Sequence, residues 1–234
     1  MDRTALVLGA SGALGGAIAG ELARAGYRVG LHAFRHAERL PRLPGAPTYL
    51  ADLRRAEAIQ ELADRCLKDF GRLDALVWSV GIAREAPVAS LAEEDVREVL
   101  ALNLTAPFLI AKAFSRPLLK QKSGSFVLLS SHAALGGRAG GAAYAMAQSG
   151  LLALMRSLAR EWGPLGVRVN AVVPPFVAES DLGRVSSPAF AEAVRARSVY
   201  AGGADPKRAV ADSVVALVGN ETASGQVFVT DARI

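Results

Sequence analysis

Ser131 and Tyr144 are the residues whose types and positions could carry out acid/base chemistry. Ser131 closely follows a buried apolar run, Phe126–Leu129, and a Gly-rich loop separates it from a helical pattern that carries Tyr144 and Gln148. Residues four apart on a helix share one face, so Tyr144 and Gln148 should point into the same space. A hydroxyl, a phenol and a third polar group beside a Gly-rich loop indicate an acid/base site rather than a packing arrangement.

A second Gly-rich turn near the N-terminus could hold an anion. Ala5–Leu8 is typical of a buried strand, and Ala13–Ala25 has helical spacing. A glycine-rich turn from a strand into a helix exposes backbone N–H groups at the positive end of the helix, which suits a pyrophosphate. A tight structural turn is the alternative interpretation. The candidate ligand-binding residues of this turn are Gly9, Ser11, Ala13, Leu14 and Gly15.

Apolar strands alternate with helical patterns along the whole chain. Further strands are predicted at 28–31, 48–51, 74–78, 125–129, 167–172 and 226–229. Further helices are predicted at 57–70, 93–119 with a break near Asn103 and Pro107, 144–162, 187–197 and 206–218. This alternation predicts an α/β fold, a doubly wound, Rossmann-like parallel sheet of about seven strands with helices on both faces. We expect one domain over residues 1–234, with loops at 174–187 and at Gly202-Gly203.

The carboxyl ends of the predicted strands should form the binding site, because open parallel sheets bind ligands there. Gly9, Asp52, the residues after Trp78, Ser131 and Pro174 all follow such strands. They are far apart in sequence, and the predicted topology brings them to one edge of the sheet.

Composition excludes several classes of protein. The formal charge of +5 comes from arginines that are interspersed with acids, which favours an anionic small ligand over nucleic acid. The chain has one cysteine, Cys66, and three histidines at spacings that do not suit a metal site, so we expect neither a disulfide framework nor a metal centre. No run approaches the roughly 18 apolar residues of a membrane span. We therefore expect a cytoplasmic protein that does not bind membranes.

The chain resembles the short-chain dehydrogenase/reductase family, and within it the 3-oxoacyl-acyl-carrier-protein reductase-like branch. The resemblance implies hydride transfer between a nicotinamide cofactor and a ketone, 3-oxoacyl or secondary alcohol group. Ser131 and Tyr144 would contact the carbonyl oxygen, Tyr144 would supply the proton, and Asn103 would kink its helix and hold a water in a proton relay. The matching pieces are GASGALG at 9–15, Asp52-Leu53, Gly81, LALNLTAPF at 100–108, the Ser131–Tyr144 spacing, VRVNAVVPP at 167–175 and SGQVFVTD at 224–231.

The resemblance also assigns cofactor contacts outside the first turn. Asp52 would contact the adenine edge, although a helix N-cap is the alternative for this residue. The end of the second strand reads His32-Ala33-Phe34-Arg35, with an arginine and no acid, which favours the 2′-phosphate of NADP(H) over NAD(H). A solvated loop residue is the alternative for Arg35. Leu53, Gly81, Pro174, Tyr144 and Gln148 complete the predicted cofactor contacts.

Gln148 is the main departure from the family pattern, because the family has a lysine at this position. An unperturbed phenol has a pKa of about 10, and a neutral amide can bond ribose hydroxyls but cannot stabilise a phenolate. The sequence therefore predicts attenuated turnover. Three further departures are Trp78, expected beside the adenosine, Ala13 in place of a glycine, and Pro174-Pro175 followed by Glu179 where a threonine is expected.

Two other functions remain open from the sequence. A non-catalytic subunit or scaffold could keep the fold and the nucleotide. A hydrolase is the other alternative, because the segment 9–13 resembles a nucleophile elbow. Two features count against it: the segment lacks the final glycine of that motif, and His132 should point away from Ser131. Family members assemble through the two long helices, here those around Asn103 and Tyr144, which implies a homodimer or homotetramer. The substrate, a small molecule or an acyl-carrier-bound group, should lie under a loop at about 176–204.

Overall fold

The computed structural model describes residues 3–184, 188–199 and 205–232, and in these residues seven strands form one sheet. The strands are all parallel and are arranged in the order β3-β2-β1-β4-β5-β6-β7, which confirms the predicted α/β fold. Their ranges are Arg3–Leu8 (β1), Tyr27–Ala33 (β2), Thr48–Leu50 (β3), Ala75–Trp78 (β4), Gly124–Leu129 (β5), Val167–Val173 (β6) and Val227–Val229 (β7).

Helices connect these strands on both faces of the sheet. Their ranges are Ala13–Arg24 (α1), Ala56–Phe70 (α2), Glu93–Leu100 (α3), Ala106–Gln121 (α4), Ala133–Gly136 (α5), Ala142–Trp162 (α6), Asp181–Arg184 (α7), Pro188–Ala196 (α8) and Pro206–Gly219 (α9). A π-helical turn, Ala101–Thr105, separates α3 from α4 at the predicted break. The helices α5 and α7 lie in segments predicted as loops, because four residues are too few to show helical periodicity. Residues 185–187 and the pair Gly202-Gly203 lie outside the described residues, as does part of the predicted substrate loop.

The two faces of the sheet bury separate cores. The helices α2, α4 and α6 cover one face, and α1 and α9 cover the other. Successive strand residues point to opposite faces. In β4, accordingly, Leu76 and Trp78 belong to the first core and Ala75 and Val77 to the second. All four are buried, which explains why the strand is a continuous apolar run.

The order of the strands reverses between β1 and β4. From β1 the chain runs outward through β2 to β3, and it then returns to β4 on the other side of β1. A crevice therefore opens between the loops that follow β1 and β4, which is where sheets of this type bind ligands.

The helical stretch Glu93–Gln121 is long and apolar enough to cross a membrane by length and composition alone, with a mean hydropathy of 1.3. Core helices pass the same test. Ile110, Phe114 and Leu118 on this stretch are buried in the first core, which accounts for its apolar character.

Candidate active site

The turn after β1 is held so tightly that only glycine fits at two of its positions. Gly9 has a φ of +84°, and a Cβ there would lie 2.5 Å from the carbonyl oxygen of Ser79. A Cβ on Gly15 would lie 2.2 Å from the carbonyl oxygen of Gly9. The N-cap of α1 is Gly12, which offers no side chain to the first amides of the helix. With Ser11, Ala13 and Leu14 completing the turn, these amides are available to an anion.

His32 fastens this turn to the neighbouring strands. The N–H of Gly9 donates to Nδ1 of His32 across 3.1 Å, and Nε2 of His32 lies 3.0 Å from the carbonyl oxygen of Ala51. Nδ1 must therefore be the unprotonated nitrogen. Burial lowers the pKa of His32 to about 4, partly offset by the hydrogen bond to Ala51, so the ring is neutral at physiological pH. No local sequence pattern indicates this role, because Gly9 and His32 are brought together only by strand pairing.

The residues predicted to contact the adenosine lie at the ends of β2 and β3. Arg35 is exposed, with its guanidinium carbon 4.7 Å from the centre of the Phe34 ring. Asp52 is bound by Arg54, with oxygen–nitrogen distances of 2.7 and 2.9 Å, and these hydrogen bonds lower the pKa of Asp52. The N-cap of α2 is Arg55, so the alternative of Asp52 as that helix cap is wrong. The side chain of Leu53 is buried in the core, which leaves only its main chain for a ligand.

The loop after β4 forms the other wall of the crevice. The side chain of Trp78 is fully buried in the first core, so the expectation of an indole beside the adenosine is wrong. Trp78 is the last residue of β4, and its position in the strand directs it to the face of the sheet that α2, α4 and α6 cover. A Cβ on Gly81 would lie 3.4 Å from Oδ1 of Asn103, which shows how closely this loop approaches the π-helical turn.

Asn103, in the π-helical turn, holds the same loop through two hydrogen bonds. Its Oδ1 accepts from the N–H of Ile82 at 2.9 Å, and its Nδ2 donates to the carbonyl oxygen of Ile82 at 2.7 Å. The side chain is fully buried. A π-helical turn re-aims side chains locally, and here it places the amide of Asn103 against the main chain of Ile82. The predicted break in the helix near Asn103 is therefore present as a π-helical turn.

Ser131, Tyr144 and Gln148 converge at the carboxyl end of β5. Tyr144 and Gln148 lie one turn apart on α6, and both are buried. The Oγ of Ser131 accepts from the N–H of Ala133 at 3.2 Å, which leaves its own proton free to donate to the Tyr144 oxygen. Burial raises the pKa of Tyr144, and the hydrogen bond from Ser131 partly opposes this shift.

Gln148 has an unfulfilled hydrogen-bonding capacity. Its Oε1 is buried and has no partner among the described residues. A buried acceptor without a partner costs about 1–3 kcal/mol, so a donor from a ligand would be stabilising there. The main-chain oxygen of Gln148 is engaged separately, because Ser130 donates to it at 3.2 Å.

The segment after β6 covers the crevice. Pro174 lines two adjoining cavities of about 160 and 140 Å³, the first beside Ser131 and the second beside the Gly-rich turn. Ser180 lines both cavities, and its Oγ donates to the carbonyl oxygen of Val177 at 2.7 Å. Glu179 is exposed and lies near the start of α1. The sequence placed the position of the family threonine at Glu179. The hydroxyl that lines the crevice belongs instead to the next residue, Ser180.

An ion pair ties this segment to the loop after β2. Arg39 Nη1 lies 3.4 Å from Oδ1 of Asp181, the first residue of α7. Both side chains are largely exposed, so the pair contributes little to stability. It does bring the segment after β6 over the N-terminus of α1.

The sheet is doubly wound and parallel, and a Gly-rich turn lies at its switch point. A serine and a tyrosine lie beside the same crevice. These features together are typical of a dinucleotide-binding oxidoreductase. Residues 9–232 match a family model described as enoyl-(acyl carrier protein) reductase. The chain belongs to the short-chain dehydrogenase/reductase family, and it is an oxidoreductase. This assignment removes the hydrolase alternative.

The curated relatives include reductases and a dehydrogenase. The 3-oxoacyl-[acyl-carrier-protein] reductase of Synechocystis sp. is 35% identical over 75% of this chain and 74% of its own length. The 3-oxoacyl-[acyl-carrier-protein] reductase FabG of Escherichia coli is 31% identical over 94% of this chain and 91% of its own. The D-threitol dehydrogenase of Mycolicibacterium smegmatis is 36% identical over 75% and 70%, respectively.

A solved structure agrees with the fold over nearly the whole chain. The crystal structure of a dehydrogenase/reductase from Sinorhizobium meliloti 1021 superposes with a TM-score of 0.88. It is 31% identical and covers 99% of this chain and 94% of its own chain.

Proposed function

We propose that this chain is an NADP(H)-dependent oxidoreductase that interconverts a ketone or 3-oxoacyl group and the corresponding secondary alcohol, with slow turnover. The observation that carries the proposal is the convergence of Ser131 and Tyr144 beside the crevice at the switch point of the sheet. The relatives named 3-oxoacyl reductases and dehydrogenases support this class of substrate.

Three observations support a nicotinamide dinucleotide in this crevice. The amides at the start of α1 have no side-chain cap. Gly9 and Gly15 allow the close approach of main chains that a pyrophosphate site requires. The orphaned Oε1 of Gln148 suits a ribose hydroxyl as donor. When bound, the cofactor supplies or accepts the hydride.

The chain itself handles the substrate oxygen and the proton. Ser131 donates a hydrogen bond to the carbonyl oxygen, and Tyr144 gives its hydroxyl proton to that oxygen as the alcohol forms. Gln148 holds the ribose but carries no charge to favour the Tyr144 phenolate. Positioned proton transfer contributes about 10²–10⁴-fold to a rate, so we expect the neutral side chain to lower turnover by part of that factor. Asn103 supports the site by holding the loop at Ile82.

Arg35 is the proposed determinant of cofactor preference. It is exposed just after β2, and the segment 32–35 contains no acid that could bind a ribose 2′-OH. Asp52 and the main chain of Leu53 would line the adenine, with Gly81 and Pro174 on the opposite side of the crevice. We extend the proposal to one domain over residues 1–234 with a substrate loop at about 176–204, in the cytoplasm.

The proposed assembly is a homodimer or homotetramer formed through the long helices. Phe108 on α4 and Met146 on α6 are large apolar side chains with exposed fractions of 53% and 51%. Exposed apolar side chains on two packed helices favour contact with a second copy.

A non-catalytic subunit is the second candidate. It is favoured by the neutral Gln148 and by the small volume of the cavity beside the Gly-rich turn, about 140 Å³.

The test separates binding from chemistry. NADPH and NADH are titrated while protein and cofactor fluorescence are followed, and a panel of ketones and 3-oxoacyl thioesters is assayed with both. We expect micromolar binding with preference for NADPH, and slow reduction that is abolished in Tyr144→Phe and strongly reduced in Ser131→Ala. Binding without any turnover would support the non-catalytic subunit. No binding of either cofactor would overturn both.

A further inference from the structure

The cavity beside Ser131 is the space in which a substrate carbonyl would lie if Ser131 donates to it as proposed. The described residues define a volume of about 160 Å³ there. An enclosed apolar cavity of about 150 Å³ is large enough to hold a molecule of the size of benzene. The space next to Ser131 therefore suits a small substrate better than a long acyl chain.

The charged residues that line this cavity are all of one sign. Arg138, in the loop before α6, and Arg197, just after α8, line it together with His132. None of the described residues that line it is an aspartate or a glutamate. A cleft lined by one sign of charge raises the local concentration of ligands of the opposite sign. The lining therefore favours a substrate with a negative charge.

Arg138 is the cation of this cavity whose side chain is held by neighbours on two sides. Its Nη2 donates to Oε2 of Glu85 at 2.8 Å, and its guanidinium carbon lies 3.6 Å from the centre of the Phe190 ring. Only 17% of the Arg138 side chain is exposed. Because the side chain is already ordered, it loses little conformational entropy when it binds a ligand.

The ion pair with Glu85 leaves part of the guanidinium of Arg138 available. A guanidinium carries several N–H donors in a planar fork, and among the described residues Glu85 accepts from Nη2 alone. A carboxylate binds such a fork through two parallel hydrogen bonds. Arg138 can therefore bind the carboxylate of a ligand in addition to that of Glu85.

The rest of the cavity wall is largely apolar. Phe176 and Phe190 meet edge to face, with their ring centres 5.6 Å apart, and both line the cavity together with Leu182. Apolar walls with a few convergent polar groups are typical of small-molecule sites. Here the polar groups are Ser131, which would bind the carbonyl, and Arg138, which would bind an anion. A short apolar body would lie between these two groups.

We infer that the substrate is a short-chain oxo acid, whose free carboxylate binds Arg138 while its carbonyl oxygen lies at Ser131. This inference rests on the proposed function, and it selects one substrate class among the ketones and 3-oxoacyl groups that the proposed function includes. Arg138 is then a specificity-determining residue. The carbonyl still gains the hydride and the proton of Tyr144, and the carboxylate takes no part in the chemistry.

Matched substrates test the role of the carboxylate. Reduction of 3-oxobutanoate is compared with that of its methyl ester and of its pantetheine thioester, both of which lack the charge. The wild type should prefer the acid by at least tenfold in kcat/KM, and Arg138→Gln should lose this preference mainly through KM. Arg138→Lys keeps a charge without the planar fork and should retain part of it. Equal or better use of the ester or thioester by the wild type would overturn the inference.

Glu85→Gln is the matched control, because it breaks the same ion pair but keeps the cation. It should retain the preference for the acid. If Glu85→Gln and Arg138→Gln lose the preference equally, Arg138 only braces the two loops and the inference is wrong. Arg116→Gln, at an exposed arginine of α4 outside this cavity, makes the same change of net charge as Arg138→Gln. It should also keep the preference, and an equal loss there would mean that net charge alone is responsible.

A binding measurement separates this inference from the proposed activity. Calorimetric titration with 3-hydroxybutanoate and with its methyl ester, with and without NADP+, requires no turnover. Tighter binding of the acid that is lost in Arg138→Gln supports the inference even in a protein that does not turn over. Reduction of neutral ketones without any preference for the acid would overturn the inference and leave the proposed function in place.

Discussion

The N–H of Gly9 donates to Nδ1 of His32, so the first glycine of the turn after β1 is held by an imidazole that must stay neutral. Protonation of Nδ1 would remove the acceptor and place a charge between β1 and β3. Burial, the main cause, lowers the pKa of His32 to about 4. The hydrogen bond therefore makes the geometry of this turn depend on pH.

His32 should make the protein less stable in mild acid. An unfolded histidine has a pKa of about 6.5, so between pH 6.5 and about 4 the unfolded chain binds a proton that the folded chain does not. The contribution is fully present above pH 6.5 and is lost as the pH falls towards 4, up to about 3 kcal/mol. Urea unfolding of wild type and His32→Gln across this range measures it. In His32→Gln the free energy of unfolding should depend less on pH, whereas His36→Gln, at an exposed histidine, should show the same pH dependence as the wild type. Parallel curves for wild type and His32→Gln would contradict the assignment.

Gly15→Ala should disrupt the turn after β1, whereas Gly12→Ala should be tolerated. The new Cβ at Gly15 would lie 2.2 Å from the Gly9 oxygen, but at Gly12 the nearest atom is 3.4 Å away. Overpacking against main chain costs about 1–3 kcal/mol or more. Thermal unfolding and NADPH titration of the two variants provide the measurement. Equal behaviour of the pair would show that the turn can relax.

Trp78→Phe should cost far less than the loss of an aromatic side chain would suggest. The Nε1 of Trp78 is buried without a partner among the described residues. Phenylalanine removes this unpaired donor while it keeps most of the packing, so we expect a loss below about 1.5 kcal/mol, against 3–5 kcal/mol for Trp78→Ala. Chemical denaturation of both variants checks this. Equal losses would mean that the indole nitrogen has a partner in solution.

Gln148→Lys should increase turnover at neutral pH. A cation one turn from Tyr144 would lower the pKa of the phenol, and we expect a gain of roughly tenfold or more in kcat for carbonyl reduction. Gln148→Met, neutral and of similar length, serves as the control and should show no gain. Wild-type turnover that is brisk and collapses in the lysine variant would show that glutamine is the functional choice in this enzyme.

Arg35→Glu should reverse the cofactor preference. Loss of a charged contact to a 2′-phosphate costs about 1.5–3 kcal/mol, so NADPH affinity should fall at least tenfold while NADH affinity is kept or improved. Arg65→Glu, at an exposed arginine of α2, introduces the same change of charge away from the crevice. If both variants weaken NADPH binding equally, the effect comes from net charge and Arg35 makes no specific contact with the 2′-phosphate.

The sequence predicted most of the scaffold but only part of the site. The strands, the break at Asn103 and the shared face of Tyr144 and Gln148 follow from local periodicity, which depends only on neighbouring residues. The prediction for the Trp78 side chain was wrong because the face to which a strand residue points depends on register, and a shift by one residue reverses that face. The roles of His32 and Ser180 depend on contacts between segments distant in sequence, which no local pattern records.

Glu21 on α1 is almost fully buried, and its carboxylate lies 3.0 Å from Nε of Arg208 on α9. The first helix of the described residues thus packs against the last one. During synthesis, all residues between α1 and α9 must be translated before the apolar side of α1 can pack against α9. Folding of the first half cannot finish early, and the nascent chain must remain soluble until α9 emerges.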